Sequence, residues 1–321
     1  MSRSSHFRLR RGFTIVELLI VIVVIGILAV IAFTSFRSAQ ERARTASVQS
    51  DVSRAVKQVE ARKAQDGNSY PSTLASVGVT ASEGNSFNYV YSATTDTYCL
   101  SSTSGNTSYL VTSDDRRQRA GACPTAAGLI AQWRLNGNGN DSAGSFNGTL
   151  NNVTGVAGQD GAANGAYSFN GTNSYIGTGQ PISNTTGSFS IGGWVYISTA
   201  QAYRAGFVGQ NDDVEMFFTA NNQLNMYIPG AIVSCVIPYS GWHLSYFVYD
   251  SSGIKQYLDG AVCASASGGA HSNGGSNFNL GGGGIADNTG NWLDGRLDDI
   301  RIYNRALSDG EMQGLYALGA Q

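Results

Sequence analysis

An acidic side chain lies inside the longest apolar run of the chain. Glu17 is the only ionisable residue in segment 13–33, FTIVELLIVIVVIGILAVIAF. A charged side chain at the centre of a bilayer costs about 3 kcal/mol or more, so we expect Glu17 to have a cationic partner. Cleavage after Gly12 would supply one, because it would leave a free α-amino group on Phe13. Pairing of Glu17 with the amine of a neighbouring subunit would neutralise both charges and fix the register between two helices.

The residues around this run predict a membrane-spanning helix with a cytoplasmic leader. At a rise of 1.5 Å per residue, segment 13–33 spans about 32 Å, which matches a hydrocarbon core. Residues 1–12 contain four arginines and no acidic residue, and this bias is expected to keep the leader inside the cell. A secretory signal peptide is cleaved after a shorter apolar run. Here the candidate processing signal, Arg-Arg-Gly, precedes the run.

The segment RRGFTIVELLIVIVVIGILAVIA resembles the class III signal of type IV pilins and type II secretion pseudopilins. The resemblance implies removal of a 1–12 leader by prepilin peptidase between Gly12 and Phe13, N-methylation of Phe13, and a filament-assembly role for Glu17. Implied partners are other pilin subunits, in a homo- or hetero-polymer, the peptidase, the pilus assembly machinery and the cytoplasmic membrane. The prepilin would lie in that membrane and then enter an extracellular pilus. An ordinary single-span anchor is the alternative.

The helix is predicted to continue beyond the membrane. Val48, Val52, Val56 and Val59 recur at helical spacing and would form one apolar face. Asp66-Gly67 is a plausible stop signal. We therefore expect a single long helix over 13–65, of which 13–33 would be the transmembrane or filament-core part.

Residues 66–124 are predicted to form a small globular head that caps this helix. Alternating Phe87, Tyr89 and Tyr91 indicate a short strand, and the stretch resembles the compact antiparallel sheet of pilins. The first part of the chain is therefore expected to have an α+β pilin fold. Cys99 and Cys123 would form a disulfide in an exported chain, worth about 3 kcal/mol for a loop of this size; two free buried thiols are the alternative.

After a short linker, 125–128, the chain changes character. Residues 129–321 consist of brief apolar runs separated by Gly, Asn and Ser, which predicts one all-β domain. Blocks at 165–179, 188–197, 241–262 and 295–316 resemble successive parts of the laminin-G/concanavalin A-like domain. The resemblance implies a jelly-roll sandwich of two antiparallel sheets.

Two local features of this domain carry their own predictions. Cys235 and Cys263 are expected to link adjacent strands as a disulfide. Ser308 and Glu311 form a capping-box pattern, so a short terminal helix is expected to follow, with Met312 and Leu315 on its apolar face.

The resemblance favours a binding module, for glycans or for a host-cell surface ligand. The Gly- and Asn-rich loop 268–291 offers amide groups to polar ligands, although such loops can equally be plain turns. Three of the four tryptophans, Trp133, Trp194 and Trp242, are expected in the core. Tyr203 and Trp292 are the candidates for ligand binding by sugar stacking.

Calcium is a possible structural ion, and no cofactor is predicted to be required. Residues 129–321 hold six Lys/Arg and thirteen Asp/Glu, a net charge of −7, and hard oxygen ligands suit calcium. The resemblance implies an ion near Asp141, Asn173 and Asp298. An ordinary solvated acidic surface is the alternative.

Composition and residue types exclude several function classes. A net charge of −2 gives no basic footprint for nucleic acid, and 42% hydrophobic residues exclude a disordered polymer despite 41 glycines. Retaining glycanases need two paired carboxyl groups, but Glu215 and Glu311 are the only glutamates after residue 129, so an enzyme is not predicted. The sequence indicates a type IV pilus subunit displaying a lectin-like domain for adhesion. A type II secretion pseudopilin and a purely structural sandwich are the alternatives.

Overall fold

A computed structural model describes most of the chain, namely residues 15–65, 67, 69–92, 96–113, 116–182, 187–219, 222–271, 276–286 and 290–319. The first part consists of a long helix, a single 3-10 turn and four strands. Their bounds are α1 Ile15–Gln65, the turn Leu74–Val77, β1 Ser86–Ser92, β2 Thr97–Ser104, β3 Thr107–Thr112 and β4 Arg119–Ala120.

The second part, which we call the sandwich, consists of fifteen strands and a terminal helix in the described residues. The bounds are β5 Leu129–Trp133, β6 Thr149–Asn151, β7 Thr154–Val156, β8 Ala166–Asn170, β9 Tyr175–Gly177, β10 Phe189–Ile197, β11 Ala205–Gln210, β12 Val214–Thr219, β13 Gln223–Ile228, β14 Ala231–Val236, β15 Gly241–Asp250, β16 Gly253–Leu258, β17 Ala261–Ala266, β18 Asn279–Leu280, β19 Asp294–Tyr303 and α2 Asp309–Gly319.

The distal half of α1 packs on a four-stranded antiparallel sheet, β1-β2-β3-β4, and together they form the head. The helix buries Val48, Val52, Ala55 and Val59 completely, because their spacing places them on one side of the helix. They meet a tyrosine-rich face of the sheet that is centred on the buried Tyr98. The predicted α+β pilin architecture is confirmed.

A buried acid fixes the helix to the segment that precedes β1. The carboxylate of Asp51, 1% exposed, accepts hydrogen bonds from the Ser82 amide (2.9 Å), the Ser82 hydroxyl (2.7 Å) and the Asn85 amide (2.8 Å), and it pairs with Arg54 at 2.6 Å. Burial alone would raise the pKa of Asp51, but the bonds from Asn85 and Ser82, with the charge of Arg54, outweigh it and lower the pKa. Asp51 is therefore a structural anion at neutral pH.

The sandwich has two antiparallel sheets with a continuous core between them. One runs β17-β16-β15-β10-β19-β8-β7, with β5 also paired to β19, and the other runs β14-β13-β12-β11-β18-β9-β6. Their facing sides bury large side chains such as Phe189, Phe207, Phe218 and Phe247. This arrangement confirms the predicted concanavalin A-like jelly-roll sandwich.

Both predicted disulfides are present. Cys99 in β2 is bonded to Cys123, which follows β4. Cys235 and Cys263 join β14 and β17, the edge strands of the two sheets, on the same side of the sandwich. The second bond therefore links the two sheets where no hydrogen-bonded strand joins them, and the first ties the end of the head to its central strand.

The terminal helix α2 contacts both parts of the chain. The Ser308 hydroxyl accepts from the Glu311 amide (3.3 Å) and the Ser308 amide donates to the Glu311 carboxylate (3.0 Å), so the predicted capping box is present. Met312 and Leu315 pack on the outer face of the β10-containing sheet. On the other side of α2, the Ala122 amide donates to the Gly310 carbonyl at 2.9 Å. The last helix of the chain therefore joins the sandwich to the head.

The strand registers give the sandwich a base and a tip. Tyr303, at the end of β19, pairs with Leu129 directly after the linker, so this end is the base. Asp294 begins the same strand, and its ten residues span about 30 Å at 3.3 Å per residue. The end at Asp294, which we call the tip, therefore lies about 30 Å from the linker.

The three tryptophans predicted in the core differ in how deeply they are buried. Trp133 is fully buried, stacks on Phe278 at 5.6 Å between ring centroids and donates from Nε1 to the Phe146 carbonyl at 2.8 Å. Trp194 is 4% exposed beneath α2. Trp242 is partly buried and packs against the same buried cluster as Trp194, so its assignment to the core is confirmed only in part. The reason is that Trp242 lies near the tip, on the outer side of the sheet.

Candidate functional sites

The proximal half of α1 has no partner in the fold. Over residues 15–36, every large apolar side chain that the structure describes is exposed, from 48% at Val24 to 84% at Ile15. One described helix is long and apolar enough to cross a membrane, and none of its apolar window is buried. The chain alone therefore leaves this surface uncovered, and a bilayer or other helices must cover it.

The predicted processing residues fall outside this description. Gly12 and Phe13 lie outside the described residues, and Glu17 lies in α1 without a described side chain. Cleavage, methylation and the pairing of Glu17 stay predictions. The helix places Glu17 within the exposed apolar stretch that begins at Ile15.

Asp141 organises a loop instead of offering its oxygens to an ion. Oδ1 accepts from the backbone amides of Gln132 (2.8 Å), Ala143 (2.9 Å) and Gly144 (3.0 Å), and Oδ2 accepts from the Phe146 amide (3.0 Å). Since a carboxylate has about four lone-pair sites, these bonds occupy Asp141. Its role as a calcium ligand stays a prediction.

The other two predicted calcium residues lie in separate segments. Asn173 accepts from the Asn170 side chain at 2.9 Å within a tight turn. Asp298, 5% exposed, accepts from the Gln159 amide at 2.9 Å. The described residues contain no group of three or more His, Cys, Asp or Glu side chains arranged to hold a metal. Calcium binding near Asp141, Asn173 and Asp298 stays a prediction.

Asp298 lines a small polar pocket on the outer face of the sheet. The pocket has a volume of about 220 Å³ and is lined by Gln132, Arg134, Asn136, Gln159, Asp160, Asp298, Asp299 and Arg301. Burial, with the nearby charges of Asp299 and Asp160, raises the pKa of Asp298 to about 7. Asp298 is therefore only partly ionised at neutral pH.

Tyr203 and Trp292 both lie at the tip. Tyr203 is 75% exposed in the connection between β10 and β11, and Trp292 lies two residues before the start of β19. The Gly206 amide donates to the Asn291 carbonyl at 2.7 Å, so the two loops are bonded to each other. The Trp292 ring lies 5.8 Å from that of Tyr175. The two candidate ligand-binding residues therefore belong to neighbouring loops of one surface.

Other aromatic side chains share this end of the sandwich, and residue spacing did not indicate them. Tyr239, 45% exposed, lies in the connection from β14 to β15, which is held by a bond from the Ser240 amide to the Ile197 carbonyl at 2.9 Å. Tyr196 pairs with Trp242 across β10 and β15. Alternation along β10 could have placed Tyr196 on the outer face, but its neighbours depend on registers between distant segments.

The two glutamates of the sandwich are engaged in holding the fold. Glu215, 3% exposed, accepts from the Asp212 amide at 2.8 Å and pairs with Arg204 at 3.5 Å. Glu311 pairs with Arg305 at 2.6 Å and caps α2. They lie on different elements with different partners, which is unlike the paired carboxyl groups of a retaining glycosidase.

Comparison with protein families identifies both parts of the chain. Residues 7–33 match the prokaryotic N-terminal methylation motif, and residues 170–313 match the concanavalin A-like lectin/glucanases superfamily. The chain carries a type IV pilin signal and a concanavalin A-like domain. The pilin signal supports processing by prepilin peptidase and assembly with other pilin subunits. No curated protein sequence matches the chain.

Solved structures similar to this chain include carbohydrate-related and receptor-binding proteins. Domain 4 of the extracellular arabinanase AbnA from Geobacillus stearothermophilus, in complex with arabinotriose, is 21% identical with a TM-score of 0.47, covering 59% of this chain and 98% of that one. Trypanosoma rangeli sialidase is 14% identical, with a TM-score of 0.48, covering 72% and 44%. The receptor-binding domain of botulinum neurotoxin type G is 16% identical, with a TM-score of 0.44, covering 60% and 51%. The match spans less than half of the sialidase.

Proposed function

We propose that the protein is a type IV pilus subunit that uses its sandwich to bind carbohydrate outside the cell. The observation that carries the proposal is the placement of the tip. It presents Tyr203, Trp292 and Tyr239 about 30 Å from the linker that joins the sandwich to the head. The exposed apolar helix anchors the opposite part of the chain. The surface best placed to meet a ligand is therefore aromatic and polar.

The chemistry of the tip suits a sugar. Aromatic side chains combine large apolar faces with limited conformational freedom, and sugar C–H groups pack against such faces. The glycine-rich residues 281–286 and 290–293 lie beside Trp292, and several of their backbone groups bond within the fold, as the Gly283 amide does to the Gly290 carbonyl at 3.0 Å. These bonds hold the surface next to Trp292 in one arrangement. Tyr203 and Trp292 are the residues proposed to stack on the ligand.

Assembly is proposed to follow the pilin scheme. Prepilin peptidase removes residues 1–12, Phe13 is methylated, and Glu17 pairs with the terminal amine of another subunit. The exposed half of α1 then enters the filament core, which covers its apolar surface. The head and sandwich lie outside, on the filament surface, as parts of an adhesive pilus.

The carbohydrate role is tested with purified filaments on an array of neutral oligosaccharides. Filaments of the natural sequence are expected to bind at least one class of oligosaccharide. The double variant Tyr203→Ala, Trp292→Ala is expected to bind that class at least tenfold more weakly. A tenfold loss of affinity corresponds to only about 1.4 kcal/mol, and truncating an aromatic anchor of a binding site commonly costs at least that much. Ile232→Ala is the control, since Ile232 is 53% exposed on β14 near the base. Equal binding by both variants would refute the assigned site. Absence of binding to any oligosaccharide would leave the sandwich with a structural role.

A further inference from the structure

A row of side chains crosses the outer face of one sheet at its tip end. Residues paired directly across the neighbouring strands β7, β8, β19, β10 and β15 are Thr154, Ser168, Arg296, Tyr196 and Trp242. At about 4.8 Å between strands the row is about 19 Å long. We call these five residues the tip row. All five are at least partly exposed.

Arg296, at the centre of the row, is held in place without using its hydrogen-bonding capacity. Its guanidinium carbon lies 4.7 Å from the centroid of the Tyr196 ring, an arrangement that orients the planar group. Within the described part of the chain, no carboxylate or carbonyl accepts a hydrogen bond from the Arg296 side chain. A guanidinium has five N–H donors in a fixed fork that matches a carboxylate. The centre of the row is therefore an oriented cation with unused donors.

Aromatic rings and hydroxyl groups flank this cation. Tyr196 and Trp242 form an edge-to-face pair with centroids 5.8 Å apart on one side of Arg296. Ser168 and Thr154 continue the row on the other side. A cation between apolar rings and hydroxyls suits a ligand that has an anionic group, apolar C–H surface and several hydroxyl groups. A sugar that bears a carboxylate has all three.

The surrounding charge favours a local contact at this position. The sandwich as a whole is acidic, with six Lys/Arg and thirteen Asp/Glu from residue 129 onward, so long-range attraction of an anion is weak. Asp294 and Asp298 lie on the same face of β19, each two residues from Arg296. Asp298 is 5% exposed, and Asp294 is exposed and accepts from the Thr199 hydroxyl at 3.2 Å. Neither carboxylate is paired with Arg296 within the described residues, so its guanidinium stays available to a ligand carboxylate.

We propose that the tip row binds an acidic saccharide, with the Arg296 guanidinium pairing with the sugar carboxylate and Trp242 packing against the neighbouring ring. The inference rests on the proposed carbohydrate role and names a ligand class and a site within it. The site is distinct from the Tyr203 and Trp292 loops, which stack on a ligand without requiring a charge.

The test measures binding of whole filaments to matched charged and neutral probes. The pairs are 3′-sialyllactose with lactose, and tetragalacturonate with its methyl ester; tetramannuronate is a third acidic probe. The natural sequence is expected to bind at least one acidic probe at least tenfold more tightly than a neutral counterpart. Which acidic probe binds distinguishes sialylated surfaces from uronate polymers. Raised salt is expected to weaken this binding.

Three variants locate the interaction. Arg296→Gln is expected to weaken binding of the acidic probe at least tenfold, and Arg296→Lys is expected to weaken it less, because lysine keeps the charge but lacks the fork. Arg134→Gln is the matched control and should bind within about twofold of the natural sequence. Arg134 is another exposed arginine on this face, with no side-chain hydrogen bond in the described ranges.

The outcomes separate this inference from the proposed function. Equal affinity for acidic and neutral probes, or unchanged binding by Arg296→Gln, would overturn the tip-row site. If neutral sugars then still depend on Tyr203 and Trp292, the carbohydrate role survives alone. If neither class of probe binds, both proposals fail. Should Arg296→Gln fail to fold, as judged by its thermal midpoint, Arg296→Lys tests the guanidinium fork alone; unchanged affinity of this variant for the acidic probe would then overturn the tip-row site.

Discussion

Replacing Glu17 with alanine is expected to abolish surface filaments while the prepilin still inserts into the membrane. The substitution removes the single charge of segment 13–33, so insertion becomes easier by about 3 kcal/mol. Assembly loses the ion pair that would neutralise the amine of Phe13 and set the register between helices. Membrane fractionation and electron microscopy of the same cells measure the two effects. We expect normal membrane levels and at least a tenfold loss of filaments.

Glu41→Ala is the matched control for this experiment. Glu41 lies in the same helix but outside segment 13–33, and it is exposed. Its removal makes the same chemical change without affecting a charge in the apolar run. Filaments should form normally with this variant. Normal filament numbers with Glu17→Ala would contradict the assembly role of the acid.

Gly314→Ala is expected to weaken the contact between the sandwich and the head. A Cβ at Gly314 would lie 1.8 Å from the Ala122 carbonyl oxygen, so α2 must move away from the end of the head. Overpacking of this kind typically costs about 2 kcal/mol. In an ordinary helix interior, replacing Gly with Ala stabilises the helix by up to about 1 kcal/mol. Helix propensity alone therefore predicts a gain in stability, and a measured loss would come from the contact with Ala122. Thermal unfolding of the full chain in detergent measures it.

Gly310→Ala in the same helix provides the control. A Cβ there would lie 3.6 Å from the nearest atom, the Ser108 hydroxyl oxygen, which is an ordinary contact. We expect the midpoint of Gly310→Ala to be unchanged or raised and that of Gly314→Ala to fall by several degrees. Proteolysis in segment 121–128 should also become faster in Gly314→Ala only. Equal behaviour of the two variants would show that α2 does not clamp the head.

Sequence patterns predict the elements that depend on interactions between residues close together in the chain. The valine spacing of α1 fixes a buried helix face because side chains three and four residues apart share one side. Ser308 and Glu311 predict the start of α2 because their capping bonds close within one turn. The disulfides could be anticipated because cysteines of an exported chain meet an oxidising compartment, where disulfides form and persist.

The functional surface was less predictable because strand pairing between distant segments creates it. Thr154, Arg296 and Trp242 are far apart in sequence, and only their registers bring them into one row. Asp141 illustrates the converse. Its residue type suggests an ion ligand, but four backbone amides of its own loop and of β5 occupy its oxygens. No spacing rule distinguishes these two uses of a carboxylate.

Contacts through α2 and the short linker fix the sandwich to the head. The Cys99–Cys123 disulfide lies in one buried cluster with Ala317 of α2, so the end of the head and the last helix share a core. The linker is only four residues long, and Arg305 of the sandwich donates to the Ala127 carbonyl within it at 2.8 Å. The tip is therefore held at a fixed distance from α1.

Intact-mass spectrometry of subunits from filaments sheared off cells tests whether the protein enters filaments after cleavage before Phe13. The subunit mass is predicted to lack residues 1–12 and to carry one added methyl group, and peptide fragmentation should place that methyl on the amine of Phe13. Surface filaments whose subunits retain Met1–Gly12, or begin at any other residue, would contradict the account.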